Sequence, residues 1–344
     1  MTGSGQSALI TGAGGYIGSV LVGELLDRGY AVRALDRFFF GEETLAEHRG
    51  KAGLTCIKKD IRDADAGDFA DVRIVFDLAA LSNDPSGDLH PDLTRAINHE
   101  GRARVARLAR EAGAARYVLA SSCSVYGGAT GSVVGEETPA RPLTVYAEAN
   151  LAAERDILPL ATNDFCVTAL RNATVFGVSP RMRFDLVINL MTLHAFELGR
   201  ITIMGGGRQW RPLVHVRDVA RAFIAAATSP REEVSGQVFN VGVGNFQVRT
   251  IAAVVREVLP FAIDIQTAPD DADKRDYKVS FDKFEGATGF RPEVTIEAGI
   301  REVYDALKFG RIENTPKCST VGWYRSILEA KRLVDAIELE GRIL

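Results

Sequence analysis

The sequence predicts an α/β protein, a doubly wound parallel sheet with a smaller C-terminal substrate lobe. Three observations lead there. Short apolar runs of strand length alternate with helical periodicity through the first half of the chain. The first of these runs passes through a glycine turn directly into a helix. After about residue 177 the alternation loosens, where Gly205-Gly206-Gly207, Pro212 and a polar stretch over 269–278 cut the chain into shorter pieces.

Residues 7–18 read Ser-Ala-Leu-Ile-Thr-Gly-Ala-Gly-Gly-Tyr-Ile-Gly. Ala8, Leu9 and Ile10 suit a buried parallel strand. Gly12, Gly14 and Gly15 strip the turn of side chains, so a ligand can sit against bare backbone. From Ile17 a helical pattern (Val20, Leu21, Leu25, Leu26) runs to a stop at Gly29. Its N-terminus offers unpaired N–H groups and a partial positive charge, which suit a pyrophosphate. A second strand over 31–35 ends in Asp36, whose carboxylate suits an adenosine ribose diol. These features describe a dinucleotide site, with NAD the expected cofactor. Arg37 can meet a 2′-phosphate and is the one residue that keeps NADP in view.

A third strand, 54–58, is followed by Asp60-Ile61-Arg62-Asp63, and a fourth, 74–78, by Ala79-Ala80. Small residues there leave ligand room at the carboxyl ends of the strands. Residues 92–112 read as one amphipathic helix with Leu93, Ile97, Val105 and Leu108 on helical spacing. A fifth strand over 117–120, a helix over 147–160 and a sixth strand over 165–170 follow, and residues 237–241 return to the sheet. The expected division is a Rossmann domain over 1–177, completed by that late strand, and an interleaved substrate lobe over 178–344.

Composition narrows the partners. With 344 residues the chain can bury a substantial core, and a net charge of -4 leaves no basic surface for nucleic acid. No apolar run approaches a membrane span and residues 1–5 lack a signal-peptide pattern, so a cytoplasmic protein is expected, without a membrane partner. Cys56, Cys123, Cys166 and Cys318 have no paired spacing, so neither a disulfide framework nor a metal site is expected.

The chemistry lies in Ser121-Ser122-Cys123-Ser124-Val125-Tyr126-Gly127, which leaves the fifth strand, and in Tyr146, which opens a helix. A serine hydroxyl and a tyrosine converging on one carbinol can hold and deprotonate it while hydride leaves to a nicotinamide. On these residues the sequence resembles the extended short-chain dehydrogenase/reductase family, in particular its nucleotide-sugar epimerases, dehydratases and reductases. The resemblance covers most of the chain: the Gly12-Gly15-Gly18 turn, Asp36, Asp60-Ile61, Leu78-Ala79-Ala80, Asn98, the Ser122 segment, Tyr146, and residues 211–218, Arg-Pro-Leu-Val-His-Val-Arg-Asp.

The resemblance implies that Gly12, Gly15, Tyr16 and Ile17 wrap the pyrophosphate and Asp36 binds the ribose. Asp60 and Ile61 would flank the adenine, while Leu78, Ala79, Ala80 and Ser121 would line the cofactor path. Asn98 would fix the sheet nearby. Ser122 would be the catalytic hydroxyl and Tyr146 the acid/base. Ser82, Asn83, Ser124 and Asn172 would face the substrate, and Asn189 would contact its diphosphate. Arg211 and Arg275 would grip the nucleoside diphosphate, work that suits guanidinium forks. A homodimer is implied in which Val105, Leu108, Leu151 and Ile157 supply an apolar contact between paired helices.

One departure stands out. The family's Tyr-x-x-x-Lys is here Tyr146-Ala-Glu-Ala-Asn150, one helical turn that keeps residue 150 beside 146. In the family that lysine binds the nicotinamide ribose and lowers the tyrosine pKa; asparagine keeps a hydrogen bond and supplies no charge. Two pKa units of lost tuning correspond to about 2.7 kcal/mol in the ionisation equilibrium. A slower base, a different base, or NAD and sugar binding without turnover are the readings that follow, unless NAD+ or an arginine compensates.

The Asp-Glu pair that follows the catalytic hydroxyl in 4,6-dehydratases is replaced by Cys123-Ser124, which argues against dehydration. Inversion beside a ketone needs acid and base on opposite faces, for which Cys123, His90 and His215 are candidates. Cys123 equally suits a small buried residue, and His215 reads as structural. Ser82-Asn83-Asp84-Pro85 reads as a substrate loop or an Asx turn, and Arg181 and Arg183 as anion ligands or solvated charges. Phe38-Phe39-Phe40 would cover the adenine or plug the sheet edge. Trp323-Tyr324 would pack a C-terminal helix onto the second lobe. The expected activity is NAD-dependent epimerisation of a nucleoside-diphosphate sugar through a transient ketone. A ketoreductase or dehydrogenase on the same substrates, and a catalytically weak NAD and nucleotide-sugar binding protein, are the alternatives.

Overall fold

Seven parallel strands build the central sheet of the computed structural model, which describes residues 6–128, 132–269 and 275–343. Residues 1–5, which lack a signal-peptide pattern, and 270–274, part of the polar break, lie outside these. In chain order the strands are β1 (Ser7–Thr11), β2 (Ala31–Asp36), β3 (Leu54–Lys58), β4 (Ile74–Asp77), β5 (Arg116–Ser122), β6 (Cys166–Asn172) and β7 (Gln237–Val241). They lie side by side as β7-β6-β5-β4-β1-β2-β3. β4 and β6 are buried along their whole length, as central strands of a parallel sheet covered on both faces are. The strand order reverses between β1 and β4, and ligands bind doubly wound sheets at such a switch.

Helices cover both faces. On one, α1 (Tyr16–Asp27) packs Leu21, Val22 and Leu25 into a core shared with Val219 and Phe223 of a later helix, Val216–Thr228. On the other, α2 (Arg102–Glu111) and α3 (Val145–Ile157) bury Val105, Ala109, Ala153 and Ile157 against Leu119 and Val167. Val105 and Ile157, expected at an apolar dimer contact, are therefore inside this chain's own core; a second copy cannot reach them.

The amphipathic stretch at 92–112 is not one regular helix. It begins as Pro91–Arg95, widens into a π-helical segment over Ala96–Gly101, and continues as α2. The extra residue in the widened turn re-registers the inner face. Asn98 and Arg102 are buried there, and Leu93, Ile97 and Leu108 are only partly covered. The 3.6-residue period alone missed this, because the inner face is polar.

Val133–Val134 pairs with Lys278–Val279 in a short two-stranded sheet, and the later segments form two further sheets. Thr174–Phe176, Trp210–His215 and Gly244–Gln247 make one, and Arg200–Met204 pairs with Asp264–Ala268 in the other. Their core gathers Phe176, Ile188, Leu213, Ile251 and Ile300. The C-terminal helix, α4 (Thr320–Ile337), corrects an expectation. It docks on the first half of the chain, with Trp323 Nε1 donating to Phe39 O at 2.7 Å and Tyr324 packed edge-on against Phe39. Among the described residues, no helix is long and apolar enough to cross a membrane.

Candidate active site

A cavity of about 740 Å³ runs past the carboxyl ends of the strands. At one end lies the glycine turn. Gly12 has φ +69°, and a Cβ there would stand 2.8 Å from Ala79 N. A Cβ on Gly18 would stand 2.1 Å from Gly12 O, so the helix sits against the turn as closely as backbone allows. Gly12, Gly15, Tyr16 and Ile17 all line the cavity. Asp36 lines it too, its carboxylate accepting from Gly14 N at 2.9 Å and Phe38 N at 2.5 Å. Burial pushes the Asp36 pKa up against the pull of those N–H groups.

Arg37 does not project freely. It lies over the Phe39 ring and donates to Asp60 Oδ2 at 3.0 Å. Burial opposes ionisation of Asp60, but the Arg62 fork overcomes it and holds the carboxyl down to about 2. Ile61 lines the cavity beside it. Phe39, Phe40 and Tyr324 make an aromatic wall at this end. Arg181 stacks on Phe40 at 3.6 Å and is buried, so it is not a solvated charge. One nitrogen donates to Thr320 Oγ1, while Nε and Nη1 find no partner among the described residues. Burial and the neighbouring charge of Arg183 lower its pKa to about 10.

In the middle, Thr11 Oγ1 accepts the N–H groups of Leu78 and Ala79, which with Ala80 line the cavity. Asn98 reaches the same loop from behind, accepting from Leu81 N at 2.8 Å and donating to Leu81 O at 3.1 Å. Ser121 lines the cavity and gives its hydroxyl to Glu154. Ser122 and Tyr146 both line the cavity, and Ser122 Oγ accepts from Ser124 N at 3.1 Å. Tyr146 sits at the start of α3 because Thr144 caps that helix, accepting from Ala147 N. Its phenol is pushed above the ordinary value by burial and by Asp84, against Arg102, Ser122 and Arg183. Asn150 also lines the cavity, bonded to Tyr146 O and to the guanidinium of Arg102.

The other end is built from paired charges. Asp84 binds Arg275 and accepts from Thr144 Oγ1 at 2.5 Å. Arg183 forks onto Asp185, and Asn83, at φ +77°, donates to Asp185 Oδ2 while capping Ser86 N. The turn at 82–85 is thus both an Asx cap and a cavity wall, with Ser82 also lining it. Arg211 is buried against Trp210 O and Arg275 O. Asn172 donates to Ser121 O, leaving its Oδ1 unpartnered among the described residues, as is Ser124 Oγ. All three line the cavity.

Two expected site residues are elsewhere. Asn189 is fully buried, accepting from Gly177 N and donating to Tyr16 Oη and Arg183 O. It braces the wall and leaves the cavity to Asn172. Cys123 turns away from the cavity, its thiol donating to Arg171 O at 3.2 Å among Val125, Tyr126 and Val134, and burial pushes its pKa up. The histidines offered as partners are engaged too. His90 Nδ1 caps Leu93 N, and His215 accepts from Arg217 N and donates to Glu302 Oε2. Sequence reading passed over Arg102, and it gave Tyr324 only a packing role and His194 no role; the last two line the cavity. For Arg102 the spacing of four residues after Asn98 gave no usable signal, because the segment between them is π-helical and breaks the ordinary helical period.

The model of the NAD dependent epimerase/dehydratase family matches residues 8–242. A UDP-glucose 4-epimerase of Mycolicibacterium smegmatis is 30% identical over 310 residues, spanning 86% of this chain and 97% of that protein. A UDP-glucuronic acid decarboxylase 1 of Xenopus tropicalis is 27% identical over 307 residues, 86% of this chain and 70% of its own. Among solved structures, MoeE5 in complex with UDP-glucose and NAD superposes with a TM-score of 0.77 at 30% identity, over 89% of this chain and 100% of that one.

Proposed function

The chain belongs to the NAD dependent epimerase/dehydratase family, and on that premise we propose that it is an enzyme that inverts C4 of a uridine-diphosphate sugar, with NAD as its cofactor. The observation that carries this reading is the Ser122–Tyr146 pair in a cavity with a glycine cradle at one end and Asn172, Arg211 and Arg275 at the other.

The residues present fit the dinucleotide. The turn has no room for a Cβ at Gly12 and little at Gly15, and the donors of buried Arg181 that are unpartnered among the described residues suit an anion. Gly12, Gly15, Tyr16 and Ile17 would hold the pyrophosphate, Asp36 the adenosine ribose, and Ile61 the adenine. With Arg37 held by Asp60, Asp36 supports NAD over NADP. When bound, the nicotinamide supplies a hydride acceptor that later returns the hydride.

Tyr146, as phenolate, takes the proton of the sugar hydroxyl beside Ser122, and returns it once the ketone is reduced from its other face. Ser122 holds the oxygen throughout. Asn172 and Ser124 offer unpartnered oxygens to the substrate, and Arg211 with Arg275 meet the diphosphate. With Cys123, His90 and His215 engaged elsewhere, the arrangement favours inversion at the oxidised carbon over inversion beside it.

The test is to release and identify the bound dinucleotide, then follow UDP-glucose, UDP-galactose, UDP-glucuronic acid and dTDP-glucose with the protein by NMR. Interconversion of UDP-glucose and UDP-galactose without NADH accumulation is expected. Stoichiometric NADH would favour a dehydrogenase, carbon dioxide from UDP-glucuronic acid a decarboxylase, and tight binding with every sugar unchanged a non-catalytic protein.

A further inference from the structure

Residue 150 is asparagine where the Tyr-x-x-x-Lys pattern has its cation, yet a cation stands directly behind it. Arg102, 1% exposed, opens α2 just after the π-helical segment. Its Nη1 donates to Asn150 Oδ1 at 3.0 Å, its Nε to Asp77 Oδ2 at 3.1 Å, and its Nη2 to Asp77 O and Ala120 O. We propose that Arg102 is the positioning residue that replaces this lysine: locked against Asp77, its guanidinium fixes the Asn150 amide and holds a positive charge behind Tyr146. The inference rests on the epimerase reading above.

The hydrogen-bond chemistry is one-directional. A guanidinium has donors and no acceptor, so Asn150 must turn its oxygen to Arg102 and its nitrogen to the cavity side. One Nδ2 hydrogen goes to Tyr146 O at 2.9 Å, which ties the amide to the residue it serves; the amide carries a second. Asp77 also accepts from Thr11 Oγ1 and Tyr117 Oη, each at 2.5 Å, so its charge is shared among three partners. A buried guanidinium is costly to keep without such partners. An ammonium at position 150 would press against it, so the site has room for one cation, carried by either residue.

Other charges face Tyr146. Asp84, paired with Arg275, disfavours the phenolate; Arg183, paired with Asp185, and the Ser122 hydroxyl favour it. Arg102 acts on the same side as these last two.

The test compares Arg102→Gln, Arg102→Lys, Asn150→Lys and the Arg102→Gln/Asn150→Lys double variant. Two readouts serve: kcat against pH with UDP-glucose, and ultraviolet titration of Tyr146 against a Tyr146→Phe control, which needs no turnover. Arg102→Gln should raise the Tyr146 pKa by about one unit and lower kcat at neutral pH about tenfold, and Arg102→Lys should stay within about threefold of the parent. Asn150→Lys alone, which leaves the Arg102–Asp77 pair intact, should lower kcat, and the double variant should recover most of it. Should Arg102→Gln fail to fold, Asn150→Lys decides. A rise in kcat of about tenfold with a lowered Tyr146 pKa in Asn150→Lys alone would overturn the inference, as would an unmoved Tyr146 titration in Arg102→Gln. Failure of the parent to convert any nucleotide sugar would instead defeat the epimerase reading, and the titration would still decide Arg102.

Discussion

The two ends of the cavity are made by different means. At the glycine end the wall is backbone: Gly12 at φ +69°, Gly15, and the N–H groups of the loop after β4, held by Thr11 and Asn98. At the far end it is side chains from distant segments, with charges neutralised in pairs, Asp84 with Arg275 and Arg183 with Asp185. The first end is set by conformations encoded at neighbouring residues and is ready whether or not anything is bound. The second depends on charged groups that hold one another until a ligand with its own charges competes for them. Substitutions at the first end should therefore damage folding and cofactor retention together. Those at the second should change rate, affinity and pH dependence with the fold intact.

The largest effect is expected at the turn. Gly12→Val forces a β-branched residue to positive φ and drives its Cβ into Ala79 N, so a loss of about 3 kcal/mol or more is expected. A lower Tm together with absence of copurified dinucleotide would bear this out; a stable variant that keeps NAD would break the contrast. Next, Tyr146→Phe should lower kcat about a thousandfold while Tm and nucleotide-sugar binding stay near the parent.

Asp84→Asn sharpens the comparison at the charged end. The Asp84 carboxylate raises the Tyr146 pKa, so removing its charge lowers that pKa and enlarges the phenolate fraction at neutral pH. The parent's kcat should climb through the alkaline range. In the variant the climb should begin about half a pH unit earlier, while KM rises because Arg275 loses the Asp84 carboxylate that orients it. A profile displaced to higher pH would contradict the sign. The smallest effect is expected for Cys123→Ala, with kcat within about twofold and a stability loss of about 1 kcal/mol, since the thiol faces Arg171 O.

The same contrast separates what could be read from the sequence. The sheet, its late seventh strand, the glycine turn and Asp36 were legible because each depends on residues a few positions apart. Ser122 and Tyr146 were legible as residue types in a resembling pattern. Asn189 was misread because two asparagines, seventeen positions from Asn172 to Asn189, are equally polar in sequence, and only packing decides which meets the cavity. Cys123 lies between Ser122 and Ser124, both of which line the cavity, and only the tight helical turn over Cys123–Tyr126, which begins where the strand ends, shows that its thiol turns away. Arg102 was hidden for a stronger reason. The π-helical segment shifts the register of its helix, and an arginine on a helical surface ordinarily reads as solvated.

The most direct measurement uses UDP-glucose carrying deuterium at C4, incubated with the NAD-loaded protein in ordinary water and followed by NMR and mass spectrometry. UDP-galactose that keeps the deuterium on C4 is the expected product, because hydride leaves and returns at one carbon while Tyr146 handles only the hydroxyl proton. Inverted product that has lost the label to water, or no inversion at all, would contradict one-carbon chemistry at the Ser122–Tyr146 pair.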